Sequence, residues 1–338
     1  MSKRLYIAYT GGTIGMKRTL RGYEPLEGFL GDYLKSLPEL THPDMPDYVL
    51  GEYAPLLDSA NMSPKEWQII AQDIASHYED YDGFIILHGT DTMSYSASAL
   101  SFMLEGLGKP VIFTGSQIPL SELRSDGLEH LITTMLLAIR DDIHEVCLYF
   151  NGKLLRANRS TKLSAISFDA FASPNYPLLA EVGVNITIFH DRLLRPKASN
   201  PFRVQSLSDC KIGSLRLFPG ISARFVENVL LEPLQGLILE SYGTGNAPND
   251  PKLHQVLAEA SARGVVIVNC TQCLNGRVIM SDQGYATGSA LTQAGVISGA
   301  DMTPEAALGK LIYLFSKKLT SETIRQAMQQ NLRGELSP

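Results

Sequence analysis

Two polar residues that could take part in catalysis lie within and shortly after a glycine-rich turn near the start of this 338-residue chain. Thr13 lies in TGGTIG, directly after an apolar run, and Tyr23 follows in RGYEP. A threonine hydroxyl is a poor nucleophile until a neighbouring base accepts its proton, and Tyr23 and Lys162 are the candidates. Glycines let the backbone approach a ligand, so their N–H groups could stabilise an oxyanion. Taken alone, Thr13 could equally cap a helix.

A second polar cluster occurs in HGTDTM, where Thr90 and Asp91 follow another apolar run. The Asp91 carboxylate could hold a substrate ammonium group or an adjacent lysine. Thr-Asp at the start of a helix is also ordinary capping chemistry. Lys162, in NRSTKLSA, follows two arginines, and a lysine near other cations or in a dry site can act as a base, although most lysines are simply solvated.

Alternating apolar runs and helical patterns must position these residues, and this alternation is typical of βαβ units. Ser63, Pro64 and Glu66 predict a capped helix start, followed by an apolar face at helical spacing. Gly83–Leu87 (GFIIL) predicts a strand. The next amphipathic helix is marked by Ala97, Leu100 and Leu104 and is predicted to end at the glycines before Pro110.

The chain length and a polar, proline-containing stretch predict two α/β domains. We expect a larger N-terminal domain at 1–189, with a mixed sheet flanked by helices. A linker at 190–211 and a smaller parallel α/β domain at 212–338 follow. The last helix is predicted to run from about Glu322 to near Gly334.

Several predicted strands end in the same kind of turn: YTGGT, HGTDT, FTGSQ, SYGTGN and NCTQC. In open α/β sheets, ligands bind just beyond the carboxyl ends of the strands. Hydroxyls, amides and glycines at several such ends therefore predict a polar pocket.

The bulk composition excludes several classes of function. A formal net charge of −6 argues against a nucleic-acid partner, because that affinity depends on clustered Lys and Arg. No apolar run approaches the roughly 20 residues that span a bilayer, and no signal peptide follows MSKR, so we expect no membrane partner and a cytoplasmic location. The segments also lack a dinucleotide fingerprint, a P-loop and a G-x-S-x-G elbow.

The cysteines and histidines give no basis for a metal or cofactor site. Cys270 and Cys273 form a single C-x-x-C pair, which predicts either packed small residues after a strand or a redox pair. No H-x-x-x-H pair is present to hold a metal from one helix face. We therefore expect neither a metal nor another cofactor.

The pair TGGTIG and HGTDTM resembles the two signature segments of bacterial-type L-asparaginases. The resemblance extends over essentially the whole chain, through TGSQIP, RSDG, FDAFASPN, SYGTGNAP and NLRGEL. It is greatest to the cytosolic type I branch. The resemblance implies hydrolysis of L-asparagine to L-aspartate and ammonia through a threonine acyl-enzyme, in a homotetramer built from two tight dimers.

The resemblance also implies roles for individual residues. Thr13 matches the nucleophile and Tyr23 its partner, while Thr90, Asp91 and Lys162 match a second catalytic set in which Lys162 acts through Thr90. Gly12 and Thr90 would supply the oxyanion-hole N–H groups, Ser59 would hold the α-carboxylate, and Asp91 the α-ammonium. The full substrate-binding set predicted in this way is Gly12, Asp58, Ser59, Ala60, Thr90, Asp91 and, from a neighbouring subunit, Asn246.

Two departures from the family pattern affect the expectations. No residue of SDQGYATGSA aligns with the acidic residue that periplasmic members carry there. Some type I members bind a second asparagine between subunits, which here would place a possible effector site at Thr161, Glu240, Asn246 and Cys273. Because Glu240 stands where an arginine is expected, we predict hyperbolic kinetics. A tRNA-linked amidohydrolase subunit and an inactive amino-acid sensor remain the alternatives.

Overall fold

A computed structural model describes residues 3–20, 22–195, 201–231, 233–280 and 286–337. The chain forms two units, Met1–Val204 and Gln205–Pro338. The domain limits and the linker predicted from sequence stay predictions. Part of the predicted linker, Arg203–Val204, is a strand that pairs with Leu104–Glu105 in the first unit, and residues 196–200 lie outside the described part.

The first unit combines one large sheet with helices and short hairpins. Its strands are β1 Arg4–Gly11, β2 Met16–Thr19, β3 Gly22–Pro25, β4 Asp47–Leu57, β5 Gly83–Leu87, β6 Leu104–Glu105, β7 Val111–Thr114, β8 Val146–Phe150, β9 Lys153–Arg156, β10 Thr161–Lys162, β11 Phe171–Ala172, β12 Ala180–Val182, β13 Ile186–Ile188 and β14 Arg203–Val204. Its α-helices are α1 Phe29–Lys35, α2 Pro64–His77, α3 Met93–Met103 and α4 Gly127–Ala138, with 3₁₀ turns at Thr13–Gly15, Pro38–Thr41, Ser59–Asn61 and Ala157–Arg159.

The large sheet has eight strands in the order β13-β12-β9-β8-β7-β5-β1-β4. Strands β4, β1, β5, β7 and β8 are parallel, whereas β9, β12 and β13 continue the sheet in antiparallel pairs. The predicted mixed sheet is therefore confirmed. Its central strands are buried on both faces, which explains why GFIIL and VIFT are continuous apolar runs rather than alternating ones.

Helix α2 shows how local sequence determines an element of this unit. Ser63 and Glu66 form the predicted capping box, and proline occupies the first helical position. The buried face includes Trp67, Ile70 and Ile74. Burying side chains of this kind contributes about 1.5 to 3 kcal/mol each, which is more than the cap supplies.

Helix α3 differs from its prediction in both length and character. It ends at Met103, and Leu104, which was predicted to lie in the helix, instead begins β6. The helix is not amphipathic, because every residue except Tyr95 is buried, including Ser94, Ser98 and Ser101. The structural reason is that a polar turn packs against its serine side, as described below.

The second unit contains a smaller parallel sheet, as predicted. Its strands are β15 Ile212–Arg216, β16 Gly236–Ser241, β17 Val266–Thr271 and β18 Ile297–Ser298, in that spatial order, and its helices are α5 Ala223–Val229, α6 Pro251–Ala262, α7 Ala286–Gln293, α8 Pro304–Ser316 and α9 Ser321–Met328. Cys270 is buried in β17 and Cys273 is exposed after it, both as free thiols.

The last helix ends well before Gly334, so its predicted C-terminal boundary is wrong. Helix α9 stops at Met328, whose carbonyl oxygen accepts a hydrogen bond of 2.9 Å from the Lys310 ammonium. Lys310 also pairs with Glu335 at 2.6 Å, and both side chains are fully buried. This paired charge requires the chain after Met328 to turn back rather than continue as a helix.

Candidate active site

The predicted catalytic loops follow four neighbouring parallel strands of the large sheet. Strands β4, β1, β5 and β7 lie side by side, and their carboxyl ends are nearly level: Gly11 pairs with Leu57, Tyr9 with Leu87, and Leu87 with Thr114. The predicted pocket edge therefore gathers the loops that carry Thr13, Ser59 and Thr90.

Glycines allow the backbones of three of these loops to touch. Gly12 has φ +89, and a Cβ there would lie 2.4 Å from the Gly89 nitrogen. A Cβ on Gly89 would lie 2.5 Å from the Ser59 Oγ. Because no larger residue fits at either position, the Thr13, Thr90 and Ser59 loops are brought together through glycine contacts.

Thr13 begins the 3₁₀ turn Thr13–Gly15 and is half-buried. The next residue, Ile14, accepts a backbone hydrogen bond of 3.0 Å from Leu120 in the loop after β7. Tyr23 lies in the β2–β3 hairpin, which packs against this turn, and is 46% exposed. Within the described chain, neither the Thr13 nor the Tyr23 side chain makes a recorded hydrogen bond.

Thr90, Asp91 and Lys162 are in direct contact, although Lys162 lies far from the other two in sequence. The Lys162 Nζ donates to Thr90 Oγ1 at 2.8 Å and to Asp91 Oδ1 at 2.7 Å. Thr90 is buried, whereas the Asp91 side chain is 67% exposed. The lysine therefore connects a buried hydroxyl to a carboxylate that remains accessible to a ligand.

A seam of buried polar contacts holds Lys162 in register with Thr90. Helix α3 begins just after Asp91, and the Ala157–Arg159 turn lies just before Lys162. The two are joined by Ser94 with Ser160 Oγ at 3.3 Å, Ser98 Oγ with the Ala157 carbonyl at 3.3 Å, and Ser101 with Asn158 at 3.1 Å. Buried polar groups with partners specify a single packing arrangement.

The Ser59 turn is connected to the Thr90 loop by a further hydrogen bond. Ser59 is buried, and its carbonyl accepts 2.7 Å from Thr92 Oγ1. Asp58 caps the turn through Oδ1, which accepts 3.0 Å from the Ala60 N–H. Asp58 and Ala60 are both exposed, so their predicted role in substrate binding stays a prediction.

His88 and Gln117 are residues of this edge that sequence reasoning did not single out. His88 is fully buried, and burial lowers its pKa from 6.5 to about 4. Its Nδ1 lies 2.7 Å from the Gly89 carbonyl oxygen. Gln117 follows β7, and Thr90 Oγ1 lies 3.5 Å from its Oε1. They lie in HGTDT and FTGSQ, two of the strand-end segments that share the same kind of polar turn.

The second unit carries three of the four residues predicted for an effector site. Glu240 accepts 3.1 Å from Ser214 Oγ and forms an ion pair of 3.7 Å with Arg216. Asn246 lies in a turn where it bridges to Tyr242, and Cys273 follows β17. The fourth, Thr161, is half-buried in the first unit and pairs with Ala172. The effector site stays a prediction.

The described residues contain no group of three or more His, Cys, Asp or Glu side chains that could hold a metal ion. In the same part of the chain, every helix is too short or too polar to cross a bilayer.

Both units match sequence families. The profile described as Asparaginase, N-terminal matches residues 4–194, and the profile described as Glutaminase/Asparaginase C-terminal domain matches residues 211–328. The chain belongs to the asparaginase family. Membership of this family confirms the resemblance drawn from TGGTIG and HGTDTM.

Individual relatives of the asparaginase family cover the full chain. L-asparaginase 1 of Escherichia coli (strain K12) is 56% identical over 99% of this chain and 98% of that protein. A Mus musculus relative named 60 kDa lysophospholipase is 44% identical over 99% of this chain and 63% of its own length. The crystal structure of L-asparaginase I from Vibrio cholerae O1 biovar eltor str. N16961 covers 100% of both chains at 51% identity, with a TM-score of 0.93. The predicted two-domain α/β fold class is confirmed.

Proposed function

We propose that this protein hydrolyses L-asparagine to L-aspartate and ammonia through an acyl-enzyme on Thr13. The observation that carries the proposal is the contact of the Thr13 and Thr90 loops through Gly12 and Gly89, with Lys162 already bound to Thr90. A nucleophile candidate and a proton-transfer set therefore share one edge of the sheet. Family membership and the E. coli relative add independent support for the substrate class.

The reaction follows from the chemistry of these groups. The Thr13 Oγ attacks the side-chain amide carbon as its proton passes to a base, for which Tyr23 is the candidate. The N–H groups of Gly12 and Thr90 stabilise the oxyanion. The carbon–nitrogen bond then breaks, and ammonia leaves after gaining a proton. Water attacks the resulting ester, releases aspartate and returns the proton to Thr13, with Lys162 acting through Thr90.

Substrate recognition uses charged and polar groups at the same edge. Asp91 presents a largely exposed carboxylate that attracts the α-ammonium group of an amino acid. Ser59, which lies against Gly89, is the candidate for the α-carboxylate, while Asp58, Ala60 and a neighbouring subunit's Asn246 complete the set. An ester-lipid substrate has no α-ammonium group to pair with Asp91, which favours an amino acid over the chemistry named for the mouse relative.

The proposal is tested by ammonia release from the purified protein over a range of L-asparagine concentrations. L-glutamine and a lysophospholipid are assayed in parallel. We expect ammonia from asparagine and no fatty acid from the lipid. No ammonia from either amino acid would contradict the proposal and would favour the tRNA-linked or sensor alternatives.

The shape of the same saturation curve tests the effector site. Arg216 and Ser214 already engage the Glu240 carboxylate, and a carboxylate repels the α-carboxylate of a second asparagine. We expect hyperbolic kinetics, and a Hill coefficient above about 1.5 would contradict this. The homotetramer and the cytoplasmic location stay predictions, and light scattering of the purified protein would test the first.

A further inference from the structure

Gln117 stands where the loop after β7 meets the Thr90–Lys162 pair. We propose that Gln117 is a positioning residue, whose amide oxygen accepts a hydrogen bond from the Thr90 hydroxyl while Lys162 donates a hydrogen bond to the oxygen of the same hydroxyl. The inference rests on the proposed function, since it assigns Gln117 a part in the proton transfers of that site.

The direction of the Thr90 proton follows from the chemistry of its neighbours. A lysine ammonium group only donates hydrogen bonds, so Thr90 Oγ1 must accept from Lys162 Nζ at 2.8 Å. The hydroxyl keeps one proton of its own, which needs another acceptor. Gln117 Oε1, 3.5 Å away, is in position to take it. The distance is long for a hydrogen bond, but catalytic contacts often tighten only when substrate binds.

The amide of Gln117 can face Thr90 in only one orientation. Its Nε2 donates 2.8 Å to the carbonyl oxygen of Ser167. A carbonyl oxygen accepts and cannot donate, so turning the amide over would place two acceptors against each other. The oxygen is therefore the atom presented to Thr90. The same bond connects Gln117 to the segment that follows Lys162.

The backbone beneath Gln117 is held by a buried carboxylate. Asp126 accepts from the N–H of Gln117 at 3.0 Å and from that of Ile118 at 3.0 Å. Further along the loop, Leu120 donates to the carbonyl of Ile14, directly after Thr13. One loop thus contacts both threonine sites, through its backbone on the Thr13 side and through Gln117 on the Thr90 side.

Two substitutions separate the acceptor role from the contact with Ser167. Gln117→Met and Gln117→Glu both remove the amide donor to Ser167, and glutamate also places a carboxylate oxygen against that carbonyl, but only glutamate retains an oxygen that can accept from Thr90. We expect Gln117→Met to lower kcat for asparagine about 10- to 100-fold, with KM changed less than about threefold. Gln117→Glu is expected to keep kcat within about fivefold of the unaltered enzyme.

The pH profile supplies a readout that a purely structural role would not move. Among the described residues, Asp91 is the charged partner of Lys162, and Phe171, opposite Lys162 in the β10–β11 pair, brings no charge. A second carboxylate at position 117 favours the ammonium form of Lys162. The pH dependence of kcat in Gln117→Glu is therefore expected to move about half a pH unit to higher pH. Gln72→Glu, on an exposed face of α2, adds the same charge as a control and should leave the profile unchanged.

Four outcomes decide the proposal once the unaltered protein has been shown to release ammonia, and failure at that first step would contradict the proposed function instead. Loss of kcat in Gln117→Met with retention in Gln117→Glu supports it. Equal loss in both variants, no loss in Gln117→Met, or a loss confined to KM overturns it. Melting temperatures are measured for both variants, and Gln117→Ala replaces Gln117→Met if the latter does not fold.

Discussion

The two threonine loops of this site differ in how completely the free protein assembles them. Thr90 is buried and bonded to Lys162, and a polar seam behind it fixes the lysine. Thr13 is half-buried, Tyr23 is 46% exposed, and neither side chain has a recorded hydrogen bond within the described residues. Both loops nevertheless lie at the ends of adjacent strands.

The Thr13 side, meaning Thr13 and Tyr23, and the Thr90 side, meaning Thr90, Asp91 and Lys162, are therefore expected to contribute differently to stability and catalysis. Groups that already occupy their working positions stabilise developing charge without further reorganisation. Side chains to which the described residues supply no hydrogen bond are expected to gain their partners when the substrate binds, which costs part of the binding energy. We therefore expect changes on the Thr13 side to affect chemistry with little effect on stability. Changes on the Thr90 side should affect both.

Replacing Thr13 by alanine should have the largest effect. We expect kcat to fall by at least about 10⁴-fold, because no other group in the proposed mechanism forms the acyl-enzyme. The dissociation constant for asparagine, measured by calorimetry, should change only a few-fold, and the melting temperature should stay close to that of the unaltered protein. Thr13→Ser is the matched control, since it keeps a hydroxyl. Turnover unchanged in Thr13→Ala would remove Thr13 as the nucleophile.

Lys162→Met should lower kcat about 10³-fold, since it removes the proposed proton-transfer partner of Thr90. Lys153 provides a matched control, because it forms an ion pair of the same 2.7 Å length with Asp169 and is not a member of the proposed catalytic set. Lys153→Met should leave kcat unchanged. Lys162→Met should also lower the free energy of unfolding by about 1 to 3 kcal/mol, because it removes the donor to the buried Thr90 hydroxyl. Lys153→Met should cost about 1 kcal/mol or less, because Lys153 and Asp169 form a partly exposed ion pair. An equal loss of kcat in Lys162→Met and Lys153→Met would contradict the proposed role of Lys162.

Tyr23→Phe tests the less ordered side, with an expected loss of about 10²-fold in kcat. Because no residue in the described part of the chain hydrogen-bonds the phenol, urea denaturation should show a change below about 0.5 kcal/mol. Tyr48→Phe, a partly buried tyrosine on β4, is the control for removing a hydroxyl without touching the site. A stability loss in Tyr23→Phe as large as that of a core substitution would show that this side is assembled before substrate binds.

The same contrast explains what the sequence could predict. Thr13 and Thr90 were predictable, because a threonine beside glycines after an apolar run places a hydroxyl at a strand end. The α2 cap was predictable because its signal is contained within four residues. The prediction that α3 is amphipathic was wrong because the partners of its serines, Ala157 and Asn158, are distant in sequence. Polar spacing alone suggests an exposed face when the polar partner is unknown.

Gln117 and His88 show a second limit of sequence reasoning. Both occur in segments that end predicted strands, but their side chains contact Thr90, Ser167 and the Gly89 carbonyl, which are not adjacent to Gln117 in sequence. A glutamine after a strand gives no sequence signal of its side-chain contacts, because its partners lie at no fixed spacing from it in the chain. The contact of Lys162 with Asp91 was likewise implied by the family resemblance. No local sequence pattern predicts it, because the topology of the large sheet brings these two distant residues together.

The smallest expected effect concerns pH and the stability of the Thr90 loop. Burial lowers the pKa of folded His88 to about 4, against 6.5 for an accessible histidine. Between these values the unfolded chain binds a proton that the folded chain does not, so stability falls as pH drops from 6.5 towards 4. At pH 5 the loss from His88 amounts to about 2 kcal/mol.

His88→Asn isolates this contribution, because the asparagine amide can still donate to the Gly89 carbonyl but does not titrate near pH 5. Urea denaturation at pH 7 and pH 5, at one protein concentration, should show the unaltered protein losing about 2 kcal/mol more than the variant. Carboxylates contribute equally to both proteins and cancel in this difference. Equal losses in the two proteins would mean that His88 becomes protonated without unfolding, and that the Thr90 loop is less rigid than its contacts indicate.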